Sequence, residues 1–295
     1  MMTPSERAAA IEARLSRMKD LPTLPVIILK VLELMNRSDP SIQDLSNLIS
    51  ADQVLASKII KVVNSPLYAV RTEIRNLQQA MAYLGFEAVK NLVLTCSLIS
   101  HFAGKGAAFN MKTFWAHSFG CGIVSKLIAG KLGFESAESL YLAGLVHDLG
   151  EVVISTAYTV EFPAILKLLQ TDGCSFYTAE EKVLGYTHCD VGGWLAVKWR
   201  FPESLTQAIR YHHTPSMAKS AKEVVAVVNL ADLFCRLRSL GYEFFEELDV
   251  SFPDEPAWQI LKASSPAIDS IDLERFTYEL DEKMDDVHNL IATMY

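Results

Sequence analysis

Long apolar runs, closely spaced cysteine pairs and an excess of positive charge are all missing from this 295-residue chain. No window approaches the run of about 20 apolar residues that crosses a bilayer, and the charged N-terminus lacks the apolar core of a secretory signal. The five cysteines form no CxxC pair and mostly stand beside apolar residues, as buried thiols do in a reducing compartment. These absences predict a cytoplasmic protein with no membrane partner.

The charge distribution argues against nucleic acid as a partner. The formal net charge is −8, and the segment from Glu246 to Tyr295 alone holds 13 acidic and three basic residues. A near-neutral body with an acidic tail fits neither DNA nor an anionic surface. Residues 41–50 and 53–64 could form a helix-turn-helix, but Lys58 and Lys61 are the only basic residues of its second helix. Ordinary helix packing is therefore the preferred interpretation.

Hydrophobic periodicity points to an all-α fold. Half of the residues are hydrophobic, and leucine, isoleucine, valine and alanine recur three or four positions apart, whereas two-residue alternation is scarce. We expect a small N-terminal helical bundle over residues 1–105, packed on a second helical bundle over 106–245. Glycines at 104–106 mark the boundary between them. An acidic helical tail over 246–295 completes the chain, with an amphipathic helix from Leu273 to Met294 that covers the bundle.

Local signals place several helix ends. Prolines within 21–25 end the first helix, since each disfavours helix in the residue before it. Ser41 is suited to cap the helix that follows it directly, with Asp44 as the acid of a capping box. A helix over 137–149 is predicted to carry a histidine–aspartate pair at its end.

Polar groups interrupt otherwise apolar helices at seven positions. Each one alone has an ordinary explanation, such as a hydrogen-bonded core histidine or a helix-end acid. Together they suit a buried metal cluster, because imidazole and carboxylate groups arriving from several helices are typical metal ligands. The candidate metal ligands are His117, His147, Asp148, His188, His212, His213 and Asp232.

Three details of this set stay open. Adjacent helical residues point about 100° apart, so His147 and Asp148 can face one site only if that site is broad or the helix ends there. A two-metal site would be broad enough. The pair His212 and His213 precedes a proline that ends its helix, and either ring could point inward. Cys189 could be a further ligand, although a packing role is the preferred interpretation.

The order H…HD…H…HH…D resembles the HD superfamily of metal-dependent phosphohydrolases. More narrowly, the chain is similar to the HDOD domain, the HD-related output domain of bacterial signalling proteins. The likeness covers about residues 20–240. It is carried by LPTLP at 21–25, LISAD at 48–52, NSP at 64–66, QAMAYLG at 79–85, AGLVHDLG at 143–150 and AIRYHH at 208–213.

The resemblance implies an all-helical signalling module whose partners are signalling proteins, with the oligomeric state open and a homodimer as one option. It also implies a degenerate relationship to the HD-GYP phosphodiesterases of cyclic di-GMP. Many HDOD members have lost metal ligands. This chain keeps the set, so the resemblance implies one or two bound ions of iron, manganese or zinc.

Two departures from the enzymes weigh against catalysis, and we assign no catalytic residue. Where active HD-GYP enzymes carry a lysine after the HD-x-G turn, this chain has Glu151, which would repel phosphate. The glycine-tyrosine-proline motif is also missing after His213. The first hypothesis is therefore a non-catalytic signalling module. The second is a metal-dependent phosphohydrolase acting on a nucleotide or another phosphoester, other than cyclic di-GMP.

Overall fold

The computed structural model describes residues 3–16, 25–35, 37, 41–102, 109–238, 240 and 250–294. Within these residues the regular elements are helices and no strand occurs, which confirms the all-α prediction. The helices are α1 Pro4–Leu15, α2 Val26–Met35, α3 Ile42–Ser50, α4 Gln53–Val63, α5 Leu77–Leu84, α6 Phe86–Phe102, α7 Met111–Leu132, α8 Ala137–Val146, α9 Leu149–Ala157, α10 Phe162–Asp172, α11 Phe176–Leu184, α12 His188–Lys198, α13 Glu203–Tyr211, α14 Lys222–Leu237, α15 Pro256–Ser264 and α16 Leu273–Met294.

Side-chain caps begin several of the helices, and the cap predicted at Ser41 is one of them. The Ser41 hydroxyl accepts the backbone N–H of Gln43 at the start of α3. The capping box is not formed there, because the Asp44 carboxylate instead accepts a hydrogen bond from Arg37 at 3.2 Å. Asp52 caps α4 by accepting the N–H of Leu55. The predicted break at 21–24 and the boundary at 104–106 lie outside the described residues.

Contacts along the chain group the helices into two compact units. One unit holds α1, α7 to α15 and the start of α16, and the other holds α2 to α6 and the remainder of α16, which changes unit after Thr277. This grouping differs from the three predicted segments at both ends. Helix α1 belongs with the later helices: its Ile11 and Leu15 are buried, and Arg7 pairs with Glu181 of α11 and Asp190 of α12, at 2.6 and 3.0 Å.

Helix α7 is the centre of its unit. Asn110 caps it, and Gly133 ends it in the left-handed conformation with φ 72°. It is buried along most of its length and packs against α8 and α14. Because α7 has no solvent-facing side over much of its course, a polar side chain on it, such as His117, must find a partner inside the protein.

Helices α8 and α9 form one apolar stretch with a break inside it. Residues Ala137–Ala157 reach a mean hydropathy of 1.2 in one window, so by length and composition they meet the minimum for a bilayer span, contrary to the sequence expectation. However, 89% of that window is buried within the protein, as in the core helix of a folded domain. The break lies at Asp148, whose backbone leaves the helical region at φ −98° and ψ 13°.

A close backbone contact holds α9 against α12. A Cβ atom added at Gly150 would lie only 2.0 Å from the carbonyl oxygen of His188 and 2.9 Å from the backbone nitrogen of Gly192. Only glycine permits this approach. The contact fixes the distance between the start of α9, next to Asp148, and the first turn of α12, which carries His188.

We expect Gly150→Ala to lower the free energy of unfolding by about 3 kcal/mol, because backbone atoms cannot yield to the added methyl group as a side chain would. The control is Gly130→Ala in α7, where an added Cβ meets nothing within 4 Å. That change should raise stability by about 0.5–1 kcal/mol through helix propensity. Urea denaturation followed by circular dichroism measures both. Equal effects of the two substitutions would contradict the proposed contact.

Candidate metal centre

The polar groups singled out in the sequence meet inside the unit built around α7. His117 comes from α7, His147 and Asp148 from the break between α8 and α9, and Asp232 from α14. His188 opens α12, and His212 follows the end of α13. The four imidazoles are fully buried, and Asp148 and Asp232 are 3% and 2% exposed. Six of the seven predicted side chains therefore converge on one interior point.

Asp148 lies at the middle of this centre, with one carboxylate oxygen on each side. Its Oδ2 is 3.0 Å from Nε2 of His147 and 3.5 Å from Nε2 of His117. Its Oδ1 is 3.2 Å from Nε2 of His212 and 3.5 Å from Nε2 of His188. The same ring nitrogen of all four histidines thus faces this carboxylate. The helix break places His147 and Asp148 together, as the sequence argument requires.

The other nitrogen of each ring is held from outside the centre. Nδ1 of His117 donates to the carbonyl of Leu240 at 2.7 Å, and Nδ1 of His147 donates to that of Gly144 at 2.7 Å. Nδ1 of His212 donates to the carbonyl of Ile209 at 3.1 Å. A carbonyl can only accept, so Nδ1 carries a proton, and whenever the ring is neutral its Nε2 offers a lone pair inward. This is the arrangement of metal-binding imidazoles.

Asp232 completes the side of the centre that contains His117. Its Oδ1 is 3.3 Å from Nε2 of His117, while its Oδ2 accepts a hydrogen bond from Arg236 one turn later, at 3.0 Å. His213 is placed differently from His212. Its side chain is 19% exposed, and its Nδ1 is 3.9 Å from Asp232. The structure therefore points His212 at Asp148 and leaves His213 at the edge.

The electrostatics of the centre demand a positive charge between its carboxylates. Burial opposes ionisation of Asp148, but the neighbouring histidines, His147 foremost, outweigh it and hold its pKa well below the usual range. Burial likewise opposes protonation of His117, yet Asp148 and Asp232 raise its pKa well above the ordinary value. Burial lowers the pKa of His147. Protons on the imidazoles or a bound cation can supply the charge that the two carboxylates require.

His188 has acidic partners that the sequence argument missed. A single oxygen of Glu180, Oε2, accepts both the backbone N–H and the Nδ1–H of His188 at 2.7 Å. Oε1 of Glu151 lies 3.7 Å from the same Nδ1. Both acids are buried. Glu180 could have been noticed because it follows Phe176 by four residues, which places an acid on the apolar face of α11.

The donor set fits a divalent transition metal. Bonds of about 2.0–2.2 Å in a tetrahedral arrangement put neighbouring N and O ligand atoms about 3.2–3.6 Å apart. The separations from Asp148 and Asp232 to the inward ring nitrogens are 3.0 to 3.5 Å. Several groups of these residues have ligand atoms within 4.8 Å of one another. Imidazole and carboxylate donors suit zinc, iron or manganese.

We expect Glu180→Leu to lower the free energy of unfolding by about 3 kcal/mol, because two buried donors of His188 lose a charged acceptor. The matched control is Glu181→Leu. Glu181 is 30% exposed and pairs with Arg7, so its loss should cost less than about 1 kcal/mol. Urea denaturation in the presence of a chelator measures the free energy of unfolding without any contribution from a bound metal. If both variants lose the same stability, Glu180 does not anchor His188.

Comparison with known proteins identifies relatives of this chain. A crystal structure of an HDOD domain protein of unknown function from Geobacter sulfurreducens is 30% identical, with a TM-score of 0.88 and 99% of each chain covered. A candidate phosphohydrolase from Shewanella amazonensis SB2B, 20% identical, has a TM-score of 0.74, with 96% of this chain and 98% of that chain covered, and shares the fold.

A curated relative is longer than this chain. An uncharacterized protein of Treponema pallidum is 26% identical over 228 residues, which are 75% of this chain and 43% of that protein. The chain thus spans less than half of the relative's length. The HDOD domain family model matches residues 21–215, a range that includes five of the six converging side chains. The chain belongs to the HDOD domain family.

Proposed function

We propose that this protein is a non-catalytic module of bacterial signalling that acts through protein partners in the cytoplasm and holds a divalent metal at its histidine–aspartate centre. Burial of the centre carries the proposal. The inward nitrogens and carboxylates lie on side chains that are at most 5% exposed. A phosphoester substrate has to reach an open coordination position on the metal. Among the described residues, these ligands are sealed from solvent.

The position of Glu151 supports the same conclusion. By the resemblance to HD-GYP phosphodiesterases, a lysine at this position would meet the substrate phosphate. Here the side chain is an acid, 2% exposed, that lies beside the outer nitrogen of His188. A buried carboxylate at this place disfavours an incoming phosphate, because like charges repel strongly where solvent is excluded.

The metal would be held in two overlapping groups that share Asp148. His117 and His147 face Asp148 Oδ2, and Asp232 contacts His117 on the same side. His188 and His212 face Asp148 Oδ1. When bound, a divalent ion supplies the positive charge that the carboxylates require and is able to activate a water molecule. The outer hydrogen bonds of the histidines orient their rings, so the ligand atoms would need little rearrangement to bind an ion.

A metal-dependent phosphohydrolase is the second candidate, and the two-sided position of Asp148 favours it. A carboxylate with one oxygen toward each histidine pair would help to hold two ions, which would supply the activated water and charge stabilisation of phosphoester hydrolysis. This function would require the centre to open so that substrate could enter. Hydrolysis of a nucleotide or another phosphoester would then depend on His147 and Asp148.

Metal analysis and a turnover assay separate the two candidates. Protein purified without chelator should contain about one or two equivalents of zinc, iron or manganese, and His147→Ala should lose most of it. The control is His288→Ala on α16, an exposed histidine. Neither the wild type nor His147→Ala should hydrolyse nucleotide phosphoesters. Turnover that disappears in His147→Ala would establish the second candidate, and absence of metal from the wild type would contradict both.

Removal of the metal should lower thermal stability. An ion present at about 100 times its Kd stabilises the folded state by about 2.7 kcal/mol. For a unit of this size that corresponds to a Tm about 5–10 °C lower after chelation. Differential scanning calorimetry with and without chelator measures the change, and Asp148→Asn should show almost none. An equal chelator effect in that variant would mean that the metal is bound elsewhere.

A further inference from the structure

Cys121 lies against the ligand nitrogen of His117. It stands on α7 one turn after His117, and its side chain is fully buried. Its Sγ is 3.5 Å from Nε2 of His117 and 3.9 Å from Nδ1. The nearer nitrogen is the one that faces Asp148, because Nδ1 is occupied by the carbonyl of Leu240. The thiol therefore borders the same interior point as the inward imidazoles.

The separation of these two atoms matches that of two ligands on one ion. With a Zn–N bond of about 2.0–2.1 Å and a Zn–S bond of about 2.3 Å, tetrahedral geometry puts N and S about 3.6 Å apart. The observed separation is 3.5 Å. Ligand atoms of His117, Cys121, His147 and Asp232 all lie within 4.8 Å of one another. One ion can thus reach two imidazoles, a carboxylate and a sulfur.

An unsatisfied buried nitrogen in this group points independently to a ligand. Nε2 of His147 is buried and makes no hydrogen bond to any described residue, although it lies 3.0 Å from Asp148. With Nδ1 donating to Gly144, this nitrogen offers a lone pair toward an anionic carboxylate. Such an arrangement is unfavourable unless a cation or a proton lies between the two atoms.

We propose that the Cys121 thiolate is an additional ligand of the ion held by His117, His147 and Asp232, and that this ion is zinc. The inference rests on the metal centre of the proposed function. Thiolate favours zinc or iron over manganese, and a closed set of nitrogen, oxygen and sulfur donors is typical of structural zinc. On binding, the S–H bond gives way to a sulfur–zinc bond, and the proton leaves to solvent.

The thiol is a ligand only when the ion is present. A bound cation pairs directly with the sulfur anion and so stabilises the thiolate. A thiolate also fills a coordination position that a hydrolytic water would need, which agrees with a non-catalytic centre.

Cys189 is the competing thiol. It follows His188 in α12, and its Sγ is 3.8 Å from both nitrogens of His212. Equal distances place the sulfur to the side of the ring rather than next to the inward nitrogen. Cys189 belongs to a second group of ligand atoms, with His188, His212 and His213, so it is the alternative that the experiment must exclude. Cys235 is equally buried but belongs to no such group, so it is the matched control for Cys121.

Cobalt substitution tests the assignment. Metal-free protein loaded with Co²⁺ should develop the intense near-ultraviolet absorption of sulfur-to-cobalt charge transfer. Cys121→Ser should lose this absorption and bind zinc at least about tenfold more weakly in competition with a chromophoric chelator. Cys189→Ser and Cys235→Ser should retain both properties. X-ray absorption of the zinc-loaded wild type should show one sulfur at about 2.3 Å from the zinc ion. This measurement does not depend on the folding of any variant.

The outcomes separate the two proposals. Cobalt or zinc bound without a sulfur signal would overturn the role of Cys121 and leave the metal centre intact. A charge-transfer band that disappears in Cys189→Ser, and persists in Cys121→Ser, would do the same. Failure of the wild-type protein to bind either ion would overturn the metal centre and the thiolate ligand together.

Discussion

The buried carboxylate of Asp148 needs neighbouring groups that balance its negative charge. The helices of the surrounding unit place those groups next to it. An ionised carboxylate with 3% exposure has lost nearly all of its hydration, which costs several kcal/mol unless other charges replace the water. Four imidazoles surround it, and each is turned by a hydrogen bond on its far side. The fold therefore fixes the orientation of the four rings through the protein's own hydrogen bonds.

Backbone geometry makes this arrangement possible. The chain leaves the helical conformation at Asp148, which lets two neighbouring residues face one point. Directly after the break, Gly150 brings α9 within contact distance of the first turn of α12. A larger residue would move His188 away from Asp148. All six side chains lie within helices or directly at helix ends, and such placement gives more precise geometry than a long loop would.

The sequence predicted the fold class and most of the centre because both depend on local patterns. Three- and four-residue periodicity identifies helices, and polar groups on apolar helices must find partners inside the protein. Helix α9 was not predictable in this way, since Val152, Val153 and Ile154 are β-branched residues with modest helix propensity, and burial overrides that preference. Glu180 and the choice between His212 and His213 depend on tertiary contacts that no spacing rule contains.

The hydrogen bond between His117 and Leu240 has a consequence for the order in which this protein is made. It joins residues 123 positions apart, and the acceptor is a backbone carbonyl that follows α14. Chains leave the ribosome from the N-terminus, so the ring of His117 exists for most of translation without the group that orients it. The centre can reach its final geometry only after that late carbonyl has emerged. An ion of the proposed metal centre would therefore enter at the end of biosynthesis or in the released chain.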